Sequence, residues 1–192
     1  MHNLHAMLAI GWLSGLSVVS CGKSVDQPVS QSLPRDVYPQ GPYGTSAGAV
    51  IDNLAFITPE GASVSLGDVF ADPANRLLLL VTSAGWCSSC IEEQPVLQSL
   101  FDSYGARGLA VMVALFETGQ YKAADSNFVR YWKEKYKLSF QVVGDPEFSL
   151  SGYYDASMTP MVMLLEVDTM KILSIQTGFD RDLVESVIAS RL

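Results

Sequence analysis

The stretch AGWCSSCIEEQP, Ala84 to Pro95, places Cys87 and Cys90 three residues apart in a chain that has only three cysteines. Its flanks say what kind of structure carries it. Upstream, Arg76 to Thr82 (RLLLLVT) is a continuous apolar run, the pattern of a strand buried on both faces. Downstream, Cys87 to Tyr104 reads as a helix. The first thiol therefore falls at the N-terminus of a helix that follows a buried strand. Such a pair could be half of a metal site, a structural staple or a redox couple.

A structural zinc site needs four ligands. Cys87 and Cys90 supply two, and the third cysteine, Cys21, lies far upstream. The only histidines are His2 and His5, inside an N-terminal segment read below as a signal that is removed. No metal is expected. Met158, Met161 and Met163 read as soft core filling beside a strand. A staple is also a poor fit, because a disulfide that closes so short a loop constrains the unfolded chain little. Two thiols held ready to exchange fit better. The helix dipole and its unpaired N–H groups favour the Cys87 anion by about 0.3–2 kcal/mol. At about 1.36 kcal/mol per unit, that moves a thiol from about 8.5 towards 7. Cys90, one turn on, is placed to resolve a mixed disulfide.

Three neighbours join this site. Trp86, at the tip of the turn, is expected to cover it as an apolar lid. Glu93 shares a helical stripe with Leu97, Leu100 and Tyr104, so it points inward, one turn from Cys90. A desolvated carboxylate there has a raised pKa and could relay a proton to the second thiol; the plainer alternative is a solvated surface glutamate. Pro95 lies inside the helix, where it costs about 3 kcal/mol and forces a bend.

Outward from this unit, Val50 to Ile57, Leu109 to Phe116, Phe140 to Val143, Met161 to Val167 and Ile172 to Thr177 read as strands, the last two as a hairpin. GASVSLGDVF reads as turn residues with a short alternating piece. Ala123 to Tyr136 reads as a helix presenting Phe128, Tyr131 and Trp132. Asp180 to Leu192 reads as another, with Leu183, Val184, Val187 and Ile188 on one stripe. Buried strands with helical crossovers, then a hairpin and a helix, give an α/β sandwich with a central mixed sheet.

The 192 residues are 48% hydrophobic with a net charge of −8, and show none of the basic footprint that nucleic acid requires. Residues 1–20 differ from the rest. AMLAIGWLSGLSVV is too short to span a membrane but fits the apolar region of a secretory signal, although MHNLH before it has no Lys or Arg. It ends Val18-Val19-Ser20-Cys21-Gly22, which resembles the lipobox of bacterial lipoproteins. That resemblance implies an acylated Cys21 as the mature N-terminus, each buried CH₂ contributing about 0.8 kcal/mol to anchoring. Gly22 in place of aspartate leans towards the outer membrane. Residues 21–47, rich in Ser, Pro, Gln and Gly, read as a flexible tether with a span of roughly 25–30 Å. Residues 48–192 are the folded domain. The compartment implied is the cell envelope, facing the periplasm, where thiol pairs can be oxidised.

WCSSCIEEQP resembles the W-C-x-x-C-x-x-E-x-P signature of thioredoxin-like oxidoreductases of the TlpA/ResA and redoxin type. VVGDPE with Tyr153-Tyr154, Thr159-Pro160 before a strand, and EVDTMKIL resemble that family's later landmarks. The resemblance implies a thioredoxin-like sandwich with a redoxin-type N-terminal extension. It implies Cys87 as nucleophile, Cys90 as resolving thiol and Glu93 as proton carrier. A cis Pro160 beside the cysteines, with Thr159 and Trp86, would form the docking groove for protein thiols and disulfides. No cofactor is implied, and a membrane-linked redox partner is. A departure is Ser88-Ser89 between the cysteines, without the usual proline or histidine. The P-x-x-x-T-x-x-C pattern of peroxide-reducing redoxins is missing too, since Thr82 lies five residues before Cys87. A non-enzymatic thiol or metallochaperone-like module, or a weak thiol peroxidase, remain the alternatives.

Overall fold

The structure, a computed structural model, describes residues 35–192. Its strands are β1 (Ala55–Ile57), β2 (Ser63–Ser65), β3 (Leu77–Ala84), β4 (Leu109–Glu117), β5 (Gln141–Gly144), β6 (Met161–Glu166) and β7 (Lys171–Thr177). Its α-helices are α1 (Leu66–Ala71), α2 (Ser88–Tyr104), α3 (Ser126–Lys135) and α4 (Arg181–Arg191). The strands form one mixed sheet in the order β2-β1-β5-β4-β3-β6-β7. β3 runs parallel to β4 and antiparallel to β6, and β4 runs parallel to β5.

The central position of β3 explains its composition. All eight of its residues are buried, because both faces of the sheet are covered. Leu77, Leu79 and Val81 pack with Leu97 and Leu100 of α2, Val129 and Trp132 of α3, and Val184 and Ile188 of α4. Leu78 and Leu80 face the opposite layer, where Leu66, Val69 and Phe70 of α1 meet Met161, Met163 and Leu165. Met161 and Met163 are thus core filling, while Met158 is exposed.

Several expectations are corrected. The strand expected at Val50 to Ile57 shrinks to β1, because Val50 and Ile51 pair with Lys171 and Met170 outside any regular ladder. The segment read as turn and alternating piece contains α1, opened by a capping box between Ser65 and Asp68. The expected stripes on α3 and α4 are narrower than drawn, since Tyr131 and Leu183 are exposed.

The tether is corrected over its second half. From residue 35 onward the chain lies against the domain. Arg35 Nη1 donates to the carbonyls of Asp72 and Asn75, both at 2.7 Å, and Nη2 pairs with the Asp168 carboxylate. Tyr38 packs edge-on against Phe70 and donates to the Ile51 carbonyl at 3.1 Å. A compositional reading misses this, because one arginine and one tyrosine do the pinning. Arg35→Met should lower unfolding stability by about 1–3 kcal/mol, read from urea midpoints, since it strips charged donors from carbonyls that stay partly buried. An unchanged midpoint would show that Arg35 rests on the surface without holding it. Cys21 and the signal segment lie outside the described residues.

Candidate active site

The site is built where β3 ends. A register shift between Ser83 and Ala84 sets Ala84 opposite Glu117. The Gly85 N–H then donates to the Glu117 carbonyl at 2.8 Å. A Cβ at Gly85 would lie 2.4 Å from the backbone nitrogen of Gly119, so the close approach of two loops demands glycine here. The Cys87 N–H donates to Ala84 O at 3.1 Å and closes the turn.

Cys87 is the N-cap of α2, and its sulfur accepts a hydrogen bond from the Cys90 N–H at 3.1 Å. The two cysteines are joined as a disulfide, with Cα atoms 5.3 Å apart. Ser89 Oγ lies 3.3 Å from the Cys87 sulfur. Cys87 is 5% exposed and Cys90 fully buried, in a small apolar cluster with Ala84, Phe116, Trp86 and Phe148. That surrounding disfavours a thiolate, while the helix N-terminus favours one, and only Cys87 receives the latter help directly.

Trp86 is more restrained than a loose lid. Its indole N–H donates to Glu117 Oε2 at 2.7 Å. Its ring stacks on Tyr121 at 5.6 Å with 20° between planes, and meets Phe116 edge-on at 6.0 Å. Tyr121 is 69% exposed and sits at φ +57° in the loop after β4. Sequence reading missed Glu117 and Tyr121, because they reach Trp86 only through the β3–β4 pairing.

Thr159-Pro160 is a cis peptide. The Thr159 carbonyl lies 3.9 Å from the Cys87 sulfur, which puts this loop against the disulfide. Thr82 Oγ1 accepts from the Met161 N–H at 2.8 Å and lies 3.4 Å from Thr159 Oγ1. Thr82 therefore holds the cis-proline loop onto β3. Tyr154 packs beside these threonines, and burial raises its phenol pKa.

Glu93 faces inward as its stripe requires, 9% exposed, with Oε2 buried and without a partner. Burial, assisted by the charge of Glu92, pushes its pKa up to about 7. It makes no hydrogen bond to either sulfur. Gln94, fully buried, was missed: its amide donates to the Cys90 carbonyl at 2.7 Å, while its Oε1 has no partner. α2 continues through Pro95, which is exposed. Among the expected residues, the structure thus gathers Cys87, Cys90, Trp86 and the Thr159-Pro160 loop around one disulfide, with Glu93 on the helix behind it.

The AhpC/TSA family model matches residues 48–174. The chain belongs to the AhpC/TSA family. It is 27% identical over 133 residues to the thiol-disulfide oxidoreductase ResA of Bacillus cereus, covering 68% of this chain and 71% of that one. Two solved structures share its fold. One is a thiol:disulfide interchange protein from Bacteroides sp., with 19% identity, 78% and 91% coverage and a TM-score of 0.60. The other is the exposed lipoprotein thioredoxin Etrx1 of Streptococcus pneumoniae, with 17% identity, 72% and 99% coverage and a TM-score of 0.57. This member of the family is a thioredoxin-like oxidoreductase.

Proposed function

We propose that the chain exchanges disulfides with protein thiols outside the cytoplasm, through the Cys87–Cys90 couple, while anchored by an acylated Cys21. The observation that carries this reading is the cysteine pair itself: a disulfide at a helix N-cap, with the cis-proline loop against its outer sulfur. In the reduced form, the Cys87 thiolate attacks a sulfur of the substrate disulfide and expels the other sulfur as a thiolate, which takes up a proton. Cys90, once deprotonated, attacks the Cys87 sulfur of the mixed disulfide. The substrate leaves as a dithiol and the couple is left oxidised. Glu93, with a pKa near neutrality, takes the Cys90 proton. Trp86, Thr159 and Pro160 form the rim on which the substrate chain lies.

The envelope reading rests on the signal-like N-terminus and the Val18-Val19-Ser20-Cys21 stretch. It is supported by the likeness to Etrx1, which is described as an exposed lipoprotein. Outer-membrane placement, facing the periplasm, and a membrane-linked redox partner belong to the same reading. The test is insulin reduction with dithiothreitol as donor. The parent chain should accelerate it, and Cys87→Ser should fall to the rate of dithiothreitol alone. Equal rates for parent and variant would sink the oxidoreductase reading. Peroxide consumption lost in Cys87→Ser, without insulin reduction, would put a thiol peroxidase in its place.

A further inference from the structure

The loop after β4 and the loop before β6 lie on opposite sides of the end of β3, because β3 is placed between those strands. Each leaves one large apolar side chain in solvent. On the β4 side it is Tyr121, 69% exposed, and on the cis-proline side it is Met158, 55% exposed. Single exposed apolar residues are ordinary on a protein surface. These two differ in how firmly they are held and in what lies between them.

Tyr121 belongs to a closed turn, Thr118 to Lys122. The Thr118 N–H donates to the Lys122 carbonyl at 2.7 Å, and the Tyr121 N–H donates to the Thr118 carbonyl at 3.1 Å. Thr118 Oγ1 accepts from the N–H groups of Gln120 and Lys122, at 3.2 and 3.3 Å. Within this turn Tyr121 takes φ +57°, in the left-handed region that glycine or asparagine enters more readily. One face of its ring lies along Trp86, the residue before Cys87, and the rest is open to solvent. Met158 ends a short 3₁₀ turn, Ala156–Met158, that is closed in the same way. Its N–H donates to the Asp155 carbonyl at 2.8 Å, and the Asp155 side chain accepts from the Ser157 N–H at 3.0 Å. The next residue is Thr159, whose carbonyl lies 3.9 Å from the Cys87 sulfur. The exchanging sulfur thus lies between two rigidly presented apolar groups, one reached through Trp86 and the other through Thr159.

Taking the disulfide exchange above as given, we propose that Tyr121 and Met158 select its substrates: disulfides in extended client segments that carry an aromatic side chain two residues from the cysteine. In an extended chain, residues two apart face the same side, about 7 Å from one another. A client cysteine that points at Cys87 therefore turns its second neighbours towards the two loops. On one side an aromatic ring stacks on the open face of Tyr121. On the other it packs against the Met158 thioether, a contact that sulfur and ring favour. A serine in those places gains neither contact.

The test follows oxidation of the reduced full chain by two peptide disulfides. Each is the symmetric disulfide of a heptapeptide with a central cysteine, and carries either phenylalanine or serine at both second-neighbour positions. The protein dithiol gives up two electrons and two protons, the peptide disulfide becomes two thiols, and the Cys87–Cys90 bond forms. Mass spectrometry after alkylation of the remaining thiols reads the rate. The phenylalanine peptide should react about tenfold faster than the serine peptide, the size of one or two aromatic contacts. Tyr121→Gly combined with Met158→Ser should bring that ratio down to about one. Glycine suits φ +57°, so the turn persists in this variant. Tyr121→Phe should keep the ratio. A merely structural fault slows both peptides alike and leaves the ratio standing. Equal rates for the two peptides with the parent overturn the proposal while leaving disulfide exchange in place. A ratio that survives in the double variant overturns it too. Reaction with neither peptide removes the exchange reading and this proposal with it.

Discussion

Cys90→Ser should accumulate a mixed disulfide between Cys87 and its protein substrate, and Cys87→Ser should accumulate none. The asymmetry follows from burial. Cys87 keeps 5% of its surface exposed at the N-cap, with its sulfur receiving the Cys90 N–H, whereas Cys90 is wholly enclosed by Ala84, Phe116 and the first turn of α2. Only the outer sulfur can be approached by a folded partner, and only the inner one is held at bonding distance to release that partner. Losing the inner thiol exchanges an intramolecular step for attack by external thiol. Turnover should therefore drop by about 10²-fold or more. Non-reducing gels of Cys90→Ser incubated with an oxidised substrate show the adduct, and dithiothreitol dissolves it. Equal trapping by both variants would mean that either sulfur can be reached, against the burial.

The second large effect belongs to Glu93. In the unfolded chain a glutamate ionises near 4.3. In the folded domain Glu93 keeps its proton up to about 7, because burial disfavours the carboxylate. Between these values the folded state binds the extra proton. Stability therefore falls as pH rises through that window, and the loss is complete above about 7. Glu93→Gln removes the ionisation. It should leave stability unchanged at pH 4 and raise it at pH 8 by about 1–2 kcal/mol, discounted for the solvent that still reaches the group. Activity should move the other way. With Glu93 as the proposed base for release of substrate by Cys90, the rate should rise through about pH 7 in the parent. Glu93→Gln should lose that inflection and about 10²-fold in rate above it. An unaltered pH profile, with the same stability change at both pH values, would confine Glu93 to packing.

The parts legible in the sequence were those set by local pattern. RLLLLVT identified the central strand because a strand covered on both faces has no polar residues to interrupt it. The Glu93, Leu97, Leu100 spacing located the inward carboxylate because α2 presents one stripe to the sheet. Short elements were lost: α1 spans only six residues, and its Ser65–Asp68 capping box was the one signal that could have revealed it. Contacts across the sheet were lost as well. Glu117 lies 31 residues from Trp86 and meets it only because β4 pairs with β3, a register no local periodicity encodes. Arg35 was hidden for the same reason, since its partners come from residues 70–75 and from Asp168.

That arginine also fixes which pole of the domain the upstream chain comes from. Its partners Asp72, Asn75 and Asp168 gather where β3 begins and β6 ends, whereas the cysteines follow the other end of β3. Eight strand residues separate the two by about 25 Å. The anchor proposed at Cys21 is fourteen residues before Arg35 in the sequence, a contour of at most about 50 Å. A client protein can therefore settle over the sulfur pair without competing for space with Arg35 and the carbonyls that it pins, at the far end of the same strand.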